Sequence, residues 1–398
     1  MKQRTPPYFL LLLFFAIPLD SVHPATVLMA APAILIASVM IAWAAESAQF
    51  FIAQGFALAI LAWLQTLPEF AVEAVLAWKQ QVPLLLANLT GALRLLTGFG
   101  WPVIYLTASL AKRRRGEGQL HFIQLEKEQC VEVVGLIGPL LYIAVITAKS
   151  SLTVYDAGVL TAIYVAYLLV LSRMPPQDPD EIHELEVVPR TIVTAPRLRR
   201  IFYISSLFTA GGLLIYFSAE PFLASLLSIS TMVGIPSFIF IQWVAPLVSE
   251  FPEMASTFYW ARTVEKAPMA LMNMVSSNIN QWTLLPAMLS VVYVWSVGSI
   301  QPIPFDEHQQ LELILTLGQA VIGLLFLVNM RLAWWEAALM LVFFAIPFAD
   351  ARLAQPVAVL QFAWVGMQVI RMIARGRLPE ALVYFGEVWR THVRPRSS

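Results

Sequence analysis

Apolar runs of membrane-spanning length, separated by short polar turns, occupy most of the chain. About twenty residues of helix, at 1.5 Å each, match the roughly 30 Å hydrocarbon core of a bilayer, so each run predicts a transmembrane helix. After a short run from Tyr8 to Ile17 the pattern gives 27–48, 52–78, 82–110, 131–148 and 152–172. It resumes with 201–231, 236–262, 267–298, 311–329, 332–350 and 355–373. The first run follows Lys2 and Arg4 and lacks a small-x-small cleavage site, so it reads as a retained span rather than a cleaved signal. Two spans are expected to be interrupted, 82–110 around Gly98-Phe99-Gly100-Trp101-Pro102 and 201–231 near Pro221. The predicted fold is an all-α integral membrane protein of about twelve transmembrane helices.

Composition changes this picture little. The chain of 398 residues is 59% hydrophobic and 13% charged, with a mean hydropathy of +0.72, which a soluble domain of this size does not show. Its single cysteine, Cys130, excludes intramolecular disulfides and thiolate metal clusters. His23, His121, His183, His308 and His392 fall in or beside loops, which excludes a histidine-ligated zinc site in the membrane. Zero net charge offers no argument for a nucleic-acid partner; the partners implied are the bilayer and inorganic cations.

Charge changes it more. With twelve spans and an inner N-terminus, the inner side collects Lys2, Arg4, Lys112 to Arg115, Arg173, Arg190 to Arg200, Arg262, Lys266, Arg331 and Arg371 to Arg396. The outer side keeps Lys79, Lys149, Asp306, Glu307 and Arg352, a strong positive-inside asymmetry. Both termini are therefore expected in the cytoplasm, and the short loops suggest a bacterial inner membrane. Residues 173–200, with Asp178, Asp180, Glu181, Glu184 and Glu186 among prolines, read as a solvated linker.

Two polar interruptions carry the chemistry. Val248-Ser249-Glu250-Phe251-Pro252-Glu253 sits inside one span, followed by a span unusually rich in Asn273, Ser276, Ser277, Asn278, Asn280 and Gln281. A buried acid costs about 2.5–3.5 kcal/mol on insertion scales, so two in one helix require a role. Thr66-Leu67-Pro68-Glu69 repeats the pattern, with Glu73, Asn88 and Gly91 after it. Aligned on Pro-Glu with one gap, Pro83 meets Pro268 and Asn88 meets Asn273. The charge-derived topology runs the two Pro-Glu helices in opposite directions, which makes the repeats inverted, as in alternating-access transporters. Glu69 with Glu73, and Glu250 with Glu253, share helix faces. Carboxylates, amides, hydroxyls and proline-freed carbonyls suit a hard cation, and apposed carboxylates bind either a cation or a proton. Glu46 and Glu220 near span ends, and Glu132 and Glu336 at interfaces, read as anchors or caps.

These segments resemble the two alpha-repeats of the calcium/cation antiporter superfamily, whose pattern runs Gly-Thr-Ser-Leu-Pro-Glu and then Gly-Asn-x-x-Gly-Ser-Asn-x-x-Asn. The resemblance covers about 25–350 and implies two inverted five-helix repeats, 25–172 and 201–350, with alpha-repeats at about 52–110 and 236–298. Extra helices lie in 1–24 and 351–398. It implies Glu69 and Glu253 as central cation ligands, helped by Thr66, Ser249, Ser277 and Gln281, with Glu250 added. Glu73, Asn88, Asn273 and Asn278 stand as secondary candidates. The first repeat departs from the pattern with Ala92, Leu93 and Leu96 in place of serine and asparagines, and adds Arg94. That arginine is either a tethered cation that balances Glu250 or a side chain snorkelling to water. The implied function is a secondary active antiporter exchanging Ca²⁺ against H⁺ or Na⁺, with no resident cofactor. The alternative is a non-transporting scaffold or sensor with a degenerate ion site. Without a nucleophile, phosphate loop or histidine-rich motif, the chain does not read as an enzyme.

Overall fold

The computed structural model describes residues 23–48, 50, 66–174, 185, 187–376 and 378–393. The expected first span, most of 52–66 and the acidic stretch of the linker lie outside them, as do Leu64 and Gln65. In chain order the helices are α1 (Val27–Ala48), α2 (Leu67–Trp78), α3 (Val82–Leu95), α4 (Trp101–Arg114), α5 (Cys130–Gly135) and α6 (Ile137–Ala148). There follow α7 (Val154–Leu171), α8 (Val187–Val193), α9 (Arg197–Val233), α10 (Ser237–Ser249) and α11 (Phe251–Ala261). The chain closes with α12 (Ala267–Val297), α13 (Glu307–Leu327), α14 (Trp334–Ala349), α15 (Ala354–Arg375) and α16 (Glu380–Val388). Short strands β1 (Phe122–Gln124), β2 (Ser151–Leu152), β3 (Ile303–Pro304) and β4 (Arg331–Ala333) precede α5, α7, α13 and α14. Among the described residues, seven helical segments are long and apolar enough to cross a bilayer.

The chain divides into two compact units, Met1–Leu76 with Pro176–Pro252, and Ala77–Pro175 with Glu253–Ser398. In the first, α1 and α9 pack along their length. Bilayer lipid supplies no hydrophobic drive between such helices, so the contact relies on small residues that let backbones approach. A Cβ on Gly211 would lie 2.8 Å from Ile41 Cγ1 and 3.0 Å from the Ala37 carbonyl oxygen. Ala33, Ala37, Ile41, Leu214 and Ile215 form the buried core there, and Leu67 and Ala71 of α2 pack onto it.

In the second unit α12 packs against α7, α4, α5 and α6, while α13 packs against α15, α3 and α6. Two antiparallel ribbons join sequence-distant loops: β1 pairs with β4 and β2 with β3. Each strand leads into a capped helix. Gln129 Oε1 accepts the Glu126 N–H at 2.8 Å, and Asp156 Oδ2 accepts the Thr153 N–H at 2.6 Å. Gln309 Oε1 accepts the Asp306 N–H at 3.0 Å, and Glu336 Oε2 accepts the Ala333 N–H at 2.7 Å. These bonds occupy amide donors that a helix start leaves open.

Three expectations are corrected. α9 runs unbroken from Arg197 to Val233 through Pro221, because a long transmembrane helix tolerates one missing amide donor. The 82–110 span is not broken at Gly98–Pro102 but widened: Leu96–Gly100 forms a π turn, with the Trp101 N–H donated to the Leu96 carbonyl. This carries the helix past Pro102, whose nitrogen cannot donate. Finally, Glu132 is not a surface anchor: its Oε2 is buried without a hydrogen-bond partner, while the carboxyl accepts its own backbone N–H in the first turn of α5. Glu336 does cap α14, while Glu220 is exposed along α9 and the Glu46 side chain lies outside the description.

Candidate cation-binding site

Both Pro-Glu pairs start a helix in the same way. Leu67-Pro68-Glu69 are the first three residues of α2, and Phe251-Pro252-Glu253 the first three of α11. Proline costs least in a first turn, where its absent N–H has no intrahelical partner to lose. The third position sets a carboxylate where the positive end of the helix dipole stabilises it. Glu69 and Glu253 are 1% and 2% exposed, so these charges are held inside the protein.

In the first unit Glu73 follows Glu69 by one turn and is also fully buried. Leu67 and Ala71 take the face of α2 toward the α1–α9 core. At about 100° per residue, Glu69 and Glu73 project from the opposite side. Thr66 is buried, and its carbonyl accepts the Phe70 N–H at 3.1 Å. Ser249 ends α10, its hydroxyl on the Ala245 carbonyl at 3.2 Å. Glu250 is the buried residue at the break, its N–H donated to the Pro246 carbonyl at 2.9 Å.

In the second unit the structure joins two of the expected residues directly. Ser277 Oγ, on α12, donates to Glu253 Oε2 at 2.7 Å. Gln281 lies one turn beyond Ser277 and Asn273 one turn before, so one face of α12 carries all three. Asn278 donates its amide N–H to the Met274 carbonyl at 2.8 Å, which leaves its buried Oδ1 as an open acceptor. Asn88 is buried on α3, which packs against α12. Among the described residues, no group of three or more His, Cys, Asp or Glu side chains is placed to hold a metal ion. The donor recorded on Glu253 Oε2 is the neutral Ser277 hydroxyl.

Arg94 does not snorkel. It is 2% exposed, and its Nη2 lies 2.5 Å from Glu312 Oε2 on α13. Its Nε donates to the Thr90 carbonyl at 3.4 Å. Gln319 Nε2 completes the cluster, donating to the Arg94 carbonyl at 3.1 Å and to Thr97 Oγ1 at 2.9 Å. Sequence reading missed Glu312 and Gln319. The signal was present, because Glu312, Thr316 and Gln319 recur at helical spacing in an otherwise apolar span. It also missed Tyr167, whose hydroxyl lies 3.2 Å from Ser276 Oγ.

A fold of membrane-length helices with buried carboxylates in helix first turns, set among hydroxyls and amides, defines an integral membrane protein equipped for inorganic cations. Comparison with known families agrees: the sodium/calcium exchanger protein family matches residues 23–173 and 204–348, and the chain belongs to it, within the calcium/cation antiporter superfamily. The crystal structure of the H⁺/Ca²⁺ exchanger CAX is 27% identical, over 96% of this chain and 94% of that one, with a TM-score of 0.85. The sodium-calcium exchanger NCX_Mj, soaked with 2.5 mM Na⁺ and 10 mM Sr²⁺, is 16% identical over 86% of this chain and 99% of that one, at TM-score 0.52. That second likeness shows the fold alone. A comparison with curated proteins found no significant match.

Proposed function

We propose that this protein is a secondary active antiporter that moves Ca²⁺ against H⁺, with Na⁺ as the alternative counter-ion, by alternating access at a carboxylate site near the membrane midplane. The observation that carries this reading is Glu253, a buried carboxylate in a helix first turn that accepts the neutral Ser277 hydroxyl. Such a group is suited to take either a cation or a proton, and that competition is the core of exchange. Glu69 plays the same part in the first repeat, with Glu250, Thr66, Ser249, Ser277 and Gln281 as further ligands. Glu73, Asn88, Asn273 and Asn278 are secondary. Proton coupling is favoured because Ala92, Leu93 and Leu96 stand where the repeat pattern offers neutral oxygens, and a carboxylate pair suffices for protons. The wide similarity to an H⁺/Ca²⁺ exchanger supports the same choice.

The proposed architecture is about twelve helices in two inverted five-helix repeats, 25–172 and 201–350. The ribbons support it: strand, cap and helix recur twice in each half, and β1 pairs with β4 as β3 pairs with β2. Both termini are proposed to face the cytoplasm of a bacterial inner membrane.

The test is ⁴⁵Ca²⁺ uptake into proteoliposomes under an H⁺ gradient, a Na⁺ gradient or neither. Uptake under the H⁺ gradient, lost in Glu69→Gln and Glu253→Gln, is the expected result. Full uptake in the double variant would falsify the carboxylate mechanism.

A further inference from the structure

We infer that Glu132 is a proton-accepting residue that, through the Tyr167 hydroxyl, delivers protons to Ser276 beside the cation site. The inference rests on the exchange reading above and deepens it by assigning a route for the counter-ion.

Glu132 stands on α5 with its Oε2 buried and no hydrogen-bond partner. The capping box at this helix start is made by Glu126 and Gln129, and the Glu132 carboxyl accepts its own backbone N–H, which leaves Oε2 as the oxygen without a partner. It shares a helix face with Gly135, three residues on. That face is pressed against α7 and α12: a Cβ on Gly135 would lie 2.8 Å from Tyr167 Cδ2 and 3.1 Å from Ile279 Cδ1. The Glu132 carboxyl lies within electrostatic range of the Tyr167 hydroxyl. Tyr167 in turn meets Ser276 at 3.2 Å, and the next residue along α12, Ser277, donates to Glu253. A line of oxygens therefore leads from the start of α5 to the neighbourhood of the carboxylate, entirely within one unit.

The direction of the line is also fixed. Arg115, just past the end of α4, pairs with Glu265, just before α12, at 3.1 Å. The loop leading into α5 and the start of α12 thus lie at one end, which the positive-inside rule assigns to the cytoplasm. Ser276 is nine residues into α12, about 14 Å along its axis, so the line bridges from that end toward the interior.

The titratable and charged groups on the elements packed around Glu132 include Lys127, Glu128 and Cys130 at the start of α5, Tyr142 on α6, Tyr155, Asp156, Tyr164 and Tyr167 on α7, and Tyr293 on α12. Glu380, Tyr384 and Glu387 lie on α16. Lys127 is engaged by Glu387 at 2.7 Å. In the transfer, an O–H bond forms on Glu132 as a hydronium ion from the cytoplasmic side gives up a proton and leaves as water. That bond breaks when the tyrosine oxygen accepts the proton, and the tyrosine releases its own hydrogen to Ser276 Oγ. Ser276 Oγ in turn releases its own hydrogen through a bridging water to the Glu253 carboxylate, so each hydroxyl gains one proton and loses one and the relay ends neutral after a net transfer of one proton. A rotation of the Glu132 side chain or a bridging water closes the step from carboxyl to hydroxyl.

The test compares two transport modes in proteoliposomes carrying the full chain: Ca²⁺ uptake driven by an H⁺ gradient, and ⁴⁵Ca²⁺/Ca²⁺ self-exchange, which needs no net proton movement. Glu132→Gln and Tyr167→Phe are each expected to lower the proton-driven mode by about tenfold or more, in keeping with a lost proton-transfer group, while self-exchange stays within about twofold of wild type. Equal rates for variants and wild type in both modes would overturn the relay. So would a parallel fall in both modes, which marks a structural role, or a wild type coupled to Na⁺ alone. A wild type silent in both modes overturns the exchange reading itself, a result distinct from the others.

Discussion

At the scale of single residues, the buried ion pair Arg94–Glu312 is a place where the loss of one charge carries a large cost. Both side chains are inside the protein and 2.5 Å apart, so removing either leaves a charge that water cannot reach. Breaking such a pair costs about 3–5 kcal/mol, whereas replacing both partners by apolar groups of similar size is often neutral. Thermal unfolding in detergent should therefore show Arg94→Gln and Glu312→Gln strongly destabilised, with Arg94→Met/Glu312→Leu close to wild type. Additive losses in the double variant would rule the pairing out. The arginine is visible in sequence as a charge in a span, but its partner is 218 residues away and no local pattern connects them.

At the scale of elements, helix contacts depend on how closely backbones approach. On α9, a side chain at Gly211 would meet Ile41 and the Ala37 carbonyl, while one at the adjacent Gly212 meets nothing within 4 Å. Overpacking costs about 1–3 kcal/mol, so Gly211→Leu should lower the unfolding temperature. Gly212→Ala should hold or raise it, because less chain freedom is lost on folding. Equal effects at both positions would remove the argument for close α1–α9 packing. The π turn Leu96–Gly100 belongs to this scale too. Sequence marks the spot through Gly98, Gly100 and Pro102, but whether the helix breaks, kinks or widens depends on its neighbours. Gly98 faces Gln319 and Phe344 so closely that a Cβ would lie 2.2 Å and 2.5 Å from their atoms, which leaves room only for a continuous backbone there.

At the scale of the whole molecule, a ligand that binds only the folded state stabilises it by mass action, about 2.7 kcal/mol at a concentration one hundred times its dissociation constant. Ca²⁺ is accordingly expected to raise the unfolding temperature of the purified protein, with the rise abolished by Glu253→Gln and reduced by Ser277→Ala. An undiminished rise in Glu253→Gln would move the cation site elsewhere. What the sequence by itself determined is the helical, integral membrane class and the identity of the polar interruptions. Spans such as 27–48, 267–298 and 355–373 were legible to within two residues, because a bilayer demands long apolar helices and leaves that demand in the local pattern. The two Pro-Glu interruptions were legible for the same reason, since a proline and a buried acid in an apolar run stand out without any knowledge of neighbours, although the sequence placed them inside spans and the structure sets each at the start of a helix. Only the tertiary structure decided that Ser277 serves Glu253, that Arg94 is held by Glu312, and that Glu132 keeps its Oε2 buried rather than at the surface. Each of these is a pairing across distant chain, set by which helices pack together, and helix-to-helix contact leaves no period or spacing in the sequence of either helix.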